Sequence, residues 1–272
     1  MPTQNSTFSH FIHQTLIDVN QIAVSSFGKV TSTTKTGDNN QVLTETDLAI
    51  GKSVIELIEK QFPDHNIIDE EKGIIDKKSD FTWVVDPIDG TSNFANGVPT
   101  YGIMVGLLKG NQPWAGGIAL PAFNQVFTAE KNEGTWCNGE QVHVTAETEL
   151  LKTLVSYCID GHQENPEITY QETKMLADVI LGIRNLRTSG SAFDMIMVTT
   201  GKYGGYLNRT SKIWDNVAPH IIIEEAGGVF TDFWGQPMDY SDPLSRAEQN
   251  FTSCAAAPDL HRQLQAIIHQ HD

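Results

Sequence analysis

Residues 83–94 read WVVDPIDGTSNF, and this stretch decides the fold prediction because a hydrophobic strand delivers two aspartates into a sharp turn. The aspartates are Asp86 and Asp89. Pro87 lies between them with a fixed φ and no backbone N–H, so we expect the strand to end there. Gly90 can adopt backbone dihedrals closed to other residues, which lets a ligand approach the main chain. The stretch therefore predicts a buried strand that ends in a ligand-binding turn.

Carboxylates held together on one turn repel each other unless a cation lies between them, and their hard oxygen atoms favour Mg²⁺, Mn²⁺ or Ca²⁺. The free N–H groups and hydroxyls of Gly90, Thr91 and Ser92 suit a phosphate group. Metal and phosphate together indicate phosphoryl chemistry. The same residues also fit an ordinary Asx-type turn, because Asp, Pro and Gly are common turn residues. An EF-hand calcium loop fits poorly, since it alternates its oxygen ligands and ends in a distant Glu.

Further acidic residues stand at the ends of other predicted elements. Glu70 and Glu71 follow the apolar run of residues 66–68, Asp215 precedes a helical pattern, and Asp47 precedes an amphipathic stretch. Taken singly, each has a structural interpretation as a solvated acid at a strand end or as a helix N-cap. Taken together, they offer the additional carboxylates that a metal site on residues 86–89 needs.

The set and its order resemble the inositol monophosphatase family, the lithium-sensitive, Mg²⁺-dependent sugar-phosphate phosphatases. That family carries an acid pair after a strand, then Asp-Pro-Ile/Leu-Asp-Gly-Thr-x-Asn-Phe, then Trp-Asp-x-Ala followed by Glu-Ala-Gly-Gly. These blocks stand here as Glu70-Glu71, as residues 86–94, as Trp214-Asp215-Asn216-Val217 and as Glu225-Ala226-Gly227-Gly228. The resemblance extends from around Thr44 to around Asp232.

The resemblance implies a metal-ligand set. Glu70, Asp86 and the carbonyl of Ile88 would hold one Mg²⁺. Asp86, Asp89 and Asp215 would hold a second, so that Asp86 bridges the pair, and a third, weaker ion can bind beside Glu70. This is the arrangement of two-metal phosphatases, in which a metal-activated water attacks phosphorus in line with the leaving oxygen. No covalent phosphoenzyme is expected.

The resemblance also implies roles for the residues around the metals. Glu70 and Thr91 would orient the attacking water as catalytic residues, and Asp47 would support Thr91 by hydrogen bonding. The segment of residues 189–192 would open a helix beside the substrate. The implied substrate contacts are Asp89, Gly90, Thr91, Ser92, Ala192, Asn208 and Arg209.

Composition limits the function classes. The chain has 272 residues, with 18 Lys and Arg against 34 Asp and Glu and a net charge of -16. Such an acidic chain argues against nucleic acid or an anionic membrane as a partner. The partner that the resemblance implies is a small phosphorylated metabolite. The three cysteines are scattered and the N-terminus has no apolar segment, so we expect free thiols and a cytoplasmic protein.

Hydrophobic periodicity predicts an α/β fold of the α+β type. Residues 1–150 are expected to form an α+β half with an antiparallel sheet and most metal ligands, and residues 151–272 an αβ half joined to it in one catalytic unit. A mobile hairpin or loop over the site is expected at residues 31–41. Helices are predicted at 8–27, 46–62, 167–181, 190–201, 215–226 and 258–270, and strands at 81–85, 102–108, 114–120, 125–130, 135–144, 153–159, 183–187, 203–207 and 228–233. The resemblance implies that these elements stack as an αβαβα sandwich, with the metals at the seam between the halves, in a homodimer.

The sequence leaves the substrate open. Classical members carry a Glu that contacts sugar hydroxyls seven residues before the last metal-binding Asp, and here Asn208 stands at that position. Arg209 and Lys212 make the same segment basic, which would favour a second phosphate on the substrate; a differently sequenced solvated loop is the other interpretation. Inositol monophosphate or a related sugar phosphate is the first prediction. Fructose 1,6-bisphosphate, a 3′-phosphonucleotide and histidinol phosphate are the alternatives, and a catalytically silent metal- or ligand-binding regulator is the alternative from another class.

Overall fold

A computed structural model of the chain describes residues 7–29, 33–34 and 42–271. Helices and strands alternate along these ranges, and their bounds follow. The α-helices are α1 Thr7–Ser26, α2 Glu45–Gln61, α3 Thr91–Ala95, α4 Pro166–Gly182, α5 Ala192–Thr199, α6 Val217–Glu225 and α7 Pro258–Ile268. The strands are β1 Thr33–Thr34, β2 Val42–Leu43, β3 Asn66–Asp69, β4 Gly73–Ile75, β5 Phe81–Asp89, β6 Gly102–Lys109, β7 Gln112–Leu120, β8 Gln125–Glu130, β9 Thr135–Cys137, β10 Glu140–Val142, β11 Leu154–Cys158, β12 Asn185–Arg187, β13 Gly205–Ser211, β14 Val229–Thr231 and β15 Phe251–Ala256.

The larger sheet has eight strands in the order β10-β9-β8-β7-β6-β5-β3-β4. Its neighbours pair antiparallel except for β3 and β5, which run parallel, so the carboxyl ends of these two strands meet at one edge. β3 ends at Asp69, just before Glu70, and β5 ends at Asp89. The parallel pair therefore brings the acidic residues of two distant sequence blocks to the same place.

The smaller sheet has five strands in the order β12-β11-β13-β15-β14. β11 pairs parallel with both β12 and β13, while β15 pairs antiparallel with β13 and β14. The carboxyl ends of β11 and β13 consequently lie side by side, and a 3₁₀ turn over Ile213–Asp215 follows β13. Asp215 thus reaches the site from the second sheet.

Five layers stack in the molecule. α1 and α2 pack on one face of the larger sheet, and α5 and α6 pack side by side in the layer between its other face and the smaller sheet. α4 and α7 pack together beyond the smaller sheet. Apolar faces drive this stacking, since α1 buries Ile12, Leu16 and Val19 at the helical spacing that predicted it. The predicted αβαβα sandwich is confirmed.

Several element predictions differ from the structure. β5 does not end before Pro87: it continues to Asp89, with a register shift between Asp86 and Asp89, because a bulge tolerates a residue that cannot donate to the ladder. The strand predicted at 135–144 is two short strands, β9 and β10, joined by a turn in which Asn138 has a positive φ. β15 was not predicted, because its sequence, FTSCAA, carries few large apolar residues.

The hairpin or loop predicted at residues 31–41 falls mostly outside the described residues. Within that segment the structure describes β1, which pairs antiparallel with β2 directly after the segment. In the described part of the chain the three cysteines are unpaired thiols. Across residues 7–29, 33–34 and 42–271, no helix has the length and apolar character of a membrane span.

Candidate active site

Three carboxylates form the centre of the site. One oxygen each from Asp86, Asp89 and Asp215 lies within 4.8 Å of the others. The cavity around them is also lined by Glu70 and by Ile88, so the structure brings together all five predicted metal ligands. Asp69 shapes the turn that contains Glu70, because its Oδ1 accepts hydrogen bonds from the backbone N–H groups of residues 71 and 72 at 3.0 and 2.7 Å.

The electrostatics of this centre call for a cation. Burial raises the pKa of Asp86 well above its ordinary value, and repulsion from Glu70, Asp89 and Asp215 raises it further. Burial and the charge of Asp215 do the same for Asp89. Among the described side chains, Oδ1 of Asp86 is a buried oxygen atom that accepts no hydrogen bond. A hard divalent cation fits this donor set, since it would supply the missing partner and offset the repulsion.

Asp47 serves both the local helix and the site. Its Oδ2 accepts from the backbone N–H of Thr44 at 2.9 Å and from the Thr44 hydroxyl, which completes a capping box in which Thr44 is the N-cap of α2. Its Oδ1 lies 3.2 Å from the hydroxyl of Thr91. The same hydroxyl lies 2.8 Å from the carbonyl oxygen of Ile88. A hydroxyl has one proton, so Thr91 donates to one acceptor at a time while its lone pairs remain available to a water in the cavity.

Gly90 joins β5 to α3 with φ +82°. A Cβ at this position would approach the Ser191 side chain to 2.8 Å and the Thr100 carbonyl oxygen to 3.2 Å. The residue must therefore be glycine both for its backbone conformation and for the close approach of the segment around Ser191.

Gly90→Ala is expected to lower the free energy of unfolding by more than the roughly 1–2 kcal/mol cost of a positive φ, because the added methyl also displaces Ser191. Gly73→Ala is the matched control, since Gly73 has φ +81° and an added Cβ would have no neighbour within 4 Å. Urea denaturation of both variants measures the difference. Equal losses would show that the contact with Ser191 costs nothing.

The turn of residues 189–191 is fastened to the rest of the site from several directions. Buried Asp194 accepts through Oδ2 from the backbone N–H of Ser189 at 2.8 Å and of Gly190 at 3.2 Å. The amide of Asn93 donates to the Ser189 carbonyl at 2.7 Å. Ser191 is the N-cap of α5, which begins at Ala192 and not at residue 190 as the sequence predicted.

This turn also reaches the carboxylate centre. The backbone N–H of Ala192 donates to Oδ2 of Asp89, so two residues that were predicted as substrate contacts bond to each other. Ser92 is exposed and lines the cavity together with Gly90, Thr91 and Asn93. The predicted phosphate-binding residues are thus adjacent to the predicted metal ligands.

Asn208 and Arg209 are neighbours in β13 but face opposite ways. Asn208 lines a second cavity that adjoins the carboxylate centre at Asp89 and Asp215, and Arg209 is not among the residues that line either cavity. The Arg209 guanidinium instead lies 3.5 Å from buried Glu172 of α4. It also stacks over the rings of residues 233 and 234, at 5.4 and 5.3 Å. The structure therefore does not bring Arg209 together with the other predicted substrate contacts.

Arg209→Ala is expected to lower the free energy of unfolding by roughly 2–3 kcal/mol, because it leaves the buried Glu172 carboxylate without its cation. Thermal or urea unfolding measures this loss, and the double variant Arg209→Ala/Glu172→Gln is expected to recover part of it. We expect kcat/KM for phosphate monoesters and bisphosphates to fall by the same factor. A loss of kcat/KM for bisphosphates alone would show that Arg209 does contact the substrate.

Sequence reasoning missed several residues of the site. Asp194 follows the observed start of α5 at Ala192 by two positions, and its only sequence signal is an acid in the first helical turn. Asn93 and Trp214 are part of the motifs but had no role assigned, and both line the first cavity. Asp160 lines the second cavity from the loop after β11, where no pattern marked it.

Comparisons with known proteins indicate the same family as the motifs that form the site. A model of the family described as the inositol monophosphatase family matches residues 4–271. A fructose-1,6-bisphosphatase/inositol-1-monophosphatase of Aquifex aeolicus is 32% identical over 228 residues, which cover 83% of this chain and 85% of the relative. A protein named Nus factor SuhB from Pasteurella multocida is 33% identical over 198 residues, 72% of this chain and 73% of the relative.

Solved structures show the same fold. The Thermotoga maritima IMPase superposes with a TM-score of 0.84 at 26% identity, covering 96% of both chains. An IMPase/NADP phosphatase complexed with Mg²⁺ and phosphate superposes with a TM-score of 0.81 at 19% identity, covering 96% of this chain and 94% of the other.

Proposed function

Because this chain belongs to the inositol monophosphatase family and is a phosphatase of that family, we propose that it hydrolyses inositol monophosphate or a related sugar monophosphate with two Mg²⁺ ions. The observation that carries the proposal is the cluster of Asp86, Asp89 and Asp215, with one buried carboxylate oxygen that lacks a hydrogen-bond partner in the described part of the chain. Gly90, Thr91 and Ser92 line the same cavity and would hold the phosphate of the ester.

The residues that would hold the ions are those predicted from the resemblance. Glu70, Asp86 and the Ile88 carbonyl would hold the first Mg²⁺, and Asp86, Asp89 and Asp215 the second, with a third, weaker site beside Glu70. The solved structure of the IMPase/NADP phosphatase, which has the same fold, is complexed with Mg²⁺ and phosphate. This supports the choice of cation. When bound, Mg²⁺ supplies the positive charge that lowers the pKa of water and stabilises negative charge on phosphate oxygens.

The chain's own groups position the reactants. Asp47 would hold the proton of the Thr91 hydroxyl, which leaves the Thr91 lone pairs to accept from the attacking water. The Glu70 carboxylate would orient that water from the end of the neighbouring strand β3. The backbone of Gly90 and Thr91, with Ser92, would hold the phosphate. Most of the rate enhancement would come from this positioning and from charge stabilisation.

A silent binding role is the second class of function, and one relative carries the name of a Nus factor. The six residues of the proposed ligand and water-orienting set, Asp47, Glu70, Asp86, Asp89, Thr91 and Asp215, are all present in this chain. Loss of such a residue is the usual mark of a protein that has kept the fold without the reaction. The complete set favours the phosphatase.

Phosphate release with Mg²⁺ or with a chelator tests the proposal. The substrates are myo-inositol 1-phosphate, fructose 1,6-bisphosphate, 3′-phosphoadenosine 5′-phosphate and histidinol phosphate. We expect Mg²⁺-dependent release with a preference for myo-inositol 1-phosphate. Release that persists under chelation would contradict the metal site, and preference for another ester would contradict the substrate.

We also carry four earlier expectations as proposals. A homodimer and inhibition by lithium come from the family resemblance, and a cytoplasmic location and a division into halves at residue 150 come from the sequence itself. The unpaired cysteines in the described residues support a reducing compartment. The larger sheet uses only strands before that boundary and the smaller sheet only strands after it, which supports the division. Light scattering of the purified chain tests the dimer.

A further inference from the structure

Asp194 is a fully buried carboxylate that the proposed ligand set does not use. It lies in the first turn of α5, whose N-cap is Ser191. In a capping box the third helical residue accepts from the backbone N–H of the N-cap itself. Oδ2 of Asp194 instead accepts from the two residues before the cap, Ser189 at 2.8 Å and Gly190 at 3.2 Å. This carboxylate therefore fastens the turn of residues 189–191 to the helix that follows it.

The hydrogen bonds of Asp194 converge on the one oxygen that faces this turn. The Cys158 thiol lies 3.6 Å from the same Oδ2. Burial and the nearby Asp194 raise the pKa of this thiol to about 12, so it stays protonated and can donate. Oδ1 of Asp194 is buried and accepts no hydrogen bond from the described part of the chain. A side chain with a single acceptor oxygen at the position of Oδ2 could consequently make the same contacts.

Contacts from the segment after β5 hold the turn on its other side. The Asn93 amide donates to the Ser189 carbonyl at 2.7 Å, and the Ser191 hydroxyl donates to the Thr100 carbonyl at 2.9 Å. The turn is thus tied to α5 by Asp194 and to the segment after β5 by these two bonds. Because the turn is held on both sides, the direction of the next backbone N–H is fixed as well.

That N–H belongs to Ala192 and donates to Oδ2 of Asp89. Ala192 is the first residue of α5, where backbone N–H groups have no carbonyl partner within the helix and carry partial positive charge. Asp89 is a proposed ligand of the second Mg²⁺. Hydrogen bonds to ligating carboxylates orient them, and loss of such a bond typically lowers metal affinity or activity by roughly 10- to 100-fold.

We propose that Asp194 is a positioning residue for the second Mg²⁺ site. It fastens the turn that aims the Ala192 N–H at Asp89, and this hydrogen bond holds the ligand in the orientation that the ion needs. Asp194 lines neither cavity, so it acts through these groups and not on the substrate. The inference rests on the proposed function, because it assumes that Mg²⁺ binds at the carboxylate centre.

Calorimetric titration with Mg²⁺, without substrate, tests the proposal on two variants of Asp194. Asp194→Ala removes the acceptor, and we expect the Kd of the second Mg²⁺ to rise by roughly 10- to 100-fold. Asp194→Asn keeps an acceptor oxygen at the position of Oδ2 and is expected to keep most of the affinity. In Asp194→Ala, kcat/KM for phosphate release is expected to fall and to recover in part when the Mg²⁺ concentration is raised.

Ala192→Pro tests the last link directly, because proline lacks the N–H that bonds to Asp89. Proline is tolerated at the first helical position, and Ser191 before it has the extended conformation, φ −159° and ψ 172°, that a following proline requires. We expect the Kd of the second Mg²⁺ to rise at least as much as in Asp194→Ala. Urea unfolding without Mg²⁺ shows whether each variant is folded, and Ala192→Pro carries the test if Asp194→Ala does not fold.

Two variants serve as controls, and both are expected to keep the affinity for Mg²⁺. Asp232 makes the same kind of contact away from the site: its Oδ1 accepts from the backbone N–H groups of Trp234 at 3.0 Å and Gln236 at 2.7 Å. Asp232→Ala therefore loses similar hydrogen bonds at a position that lines neither cavity. Asp80→Asn is the control for net charge, because Asp80 is exposed and also lines neither cavity.

An unchanged Kd in Asp194→Ala or in Ala192→Pro would overturn the role of Asp194 while leaving the phosphatase intact. An equal rise in either control, or a rise in Asp194→Asn as large as that in Asp194→Ala, would do the same. Absence of Mg²⁺ binding and of Mg²⁺-dependent phosphate release in the unaltered protein would instead overturn the proposed function, and the inference with it.

Discussion

Asp86→Asn is expected to lower kcat/KM for phosphate release by roughly three orders of magnitude or more. Asp86 is the residue proposed to bridge both ions, so a neutral amide there weakens each metal site at once. The side chain is 2% exposed and lies against Glu70, Asp89 and Asp215, so no other described group is placed to take over its position. Phosphate release at saturating Mg²⁺ measures the loss, and wild-type rates would contradict the bridging assignment.

The same variant separates loss of metal binding from loss of folding. Without Mg²⁺, Asp86→Asn is expected to be at least as stable as the unaltered protein, because it removes a buried charge that neighbouring carboxylates repel. Mg²⁺ at about 100 times its Kd should stabilise the unaltered protein by about 2.7 kcal/mol, or roughly 5–10 °C in Tm for a chain of this size. The variant should show little of this shift. Asp80→Asn serves as the control that keeps both the activity and the shift.

Thr91→Ala is expected to lower kcat by roughly 100- to 1000-fold with a much smaller change in KM. The hydroxyl is held by Asp47 and the Ile88 carbonyl at 3.2 and 2.8 Å, which fixes its lone pairs toward the cavity. Thr91→Ser keeps the hydroxyl and should retain activity within about tenfold. Steady-state kinetics of the two variants distinguish the hydroxyl from the methyl group.

Asp47 is expected to act through Thr91, and a double-mutant cycle tests this coupling. Asp47→Asn should lower kcat, and the combined variant Asp47→Asn/Thr91→Ala should be hardly slower than Thr91→Ala alone, because one interaction is lost in both. Thr44→Ala is the matched control, since Thr44 shares the capping box with Asp47 and makes no contact with Thr91. Fully additive losses in kcat would mean that Asp47 acts only as part of the helix cap.

The structural and functional interpretations of the acidic residues turned out to be compatible. Sequence reasoning offered Asp47 and Asp215 as helix N-caps or as site residues. In the structure each is the third residue of its helical turn, where its carboxylate bonds back to the cap, and each also faces the site. The cap positions these side chains, so a local signal in sequence coincided with a functional one.

The choice between Asn208 and Arg209 could not be made from sequence. Successive side chains of a strand point to opposite faces, so one of the two faces the cavity and the other faces α4. Which one does so depends on the register of β13 against β11 and β15, and that register is set by contacts between segments far apart in the chain. The surroundings of His220 in α6 also depend on distant segments. Its ring bonds the Tyr240 hydroxyl at 3.0 Å and stacks on Phe230.

By itself, the sequence supplied the motifs on which the resemblance to the family rests: an apolar strand, a turn with Pro and Gly, and acids at element ends. Through that resemblance it predicted the αβαβα layering and the five proposed metal ligands. The tertiary structure decided which side chains share the substrate cavity. Asp89, Ser191 and Asn208 come from distant parts of the chain and line one cavity, and only the stacking of two sheets around α5 and α6 sets their relative positions. Packing among distant segments carries no short-range signal, which is why the sequence named both Asn208 and Arg209 while the structure places only Asn208 in the lining of a cavity.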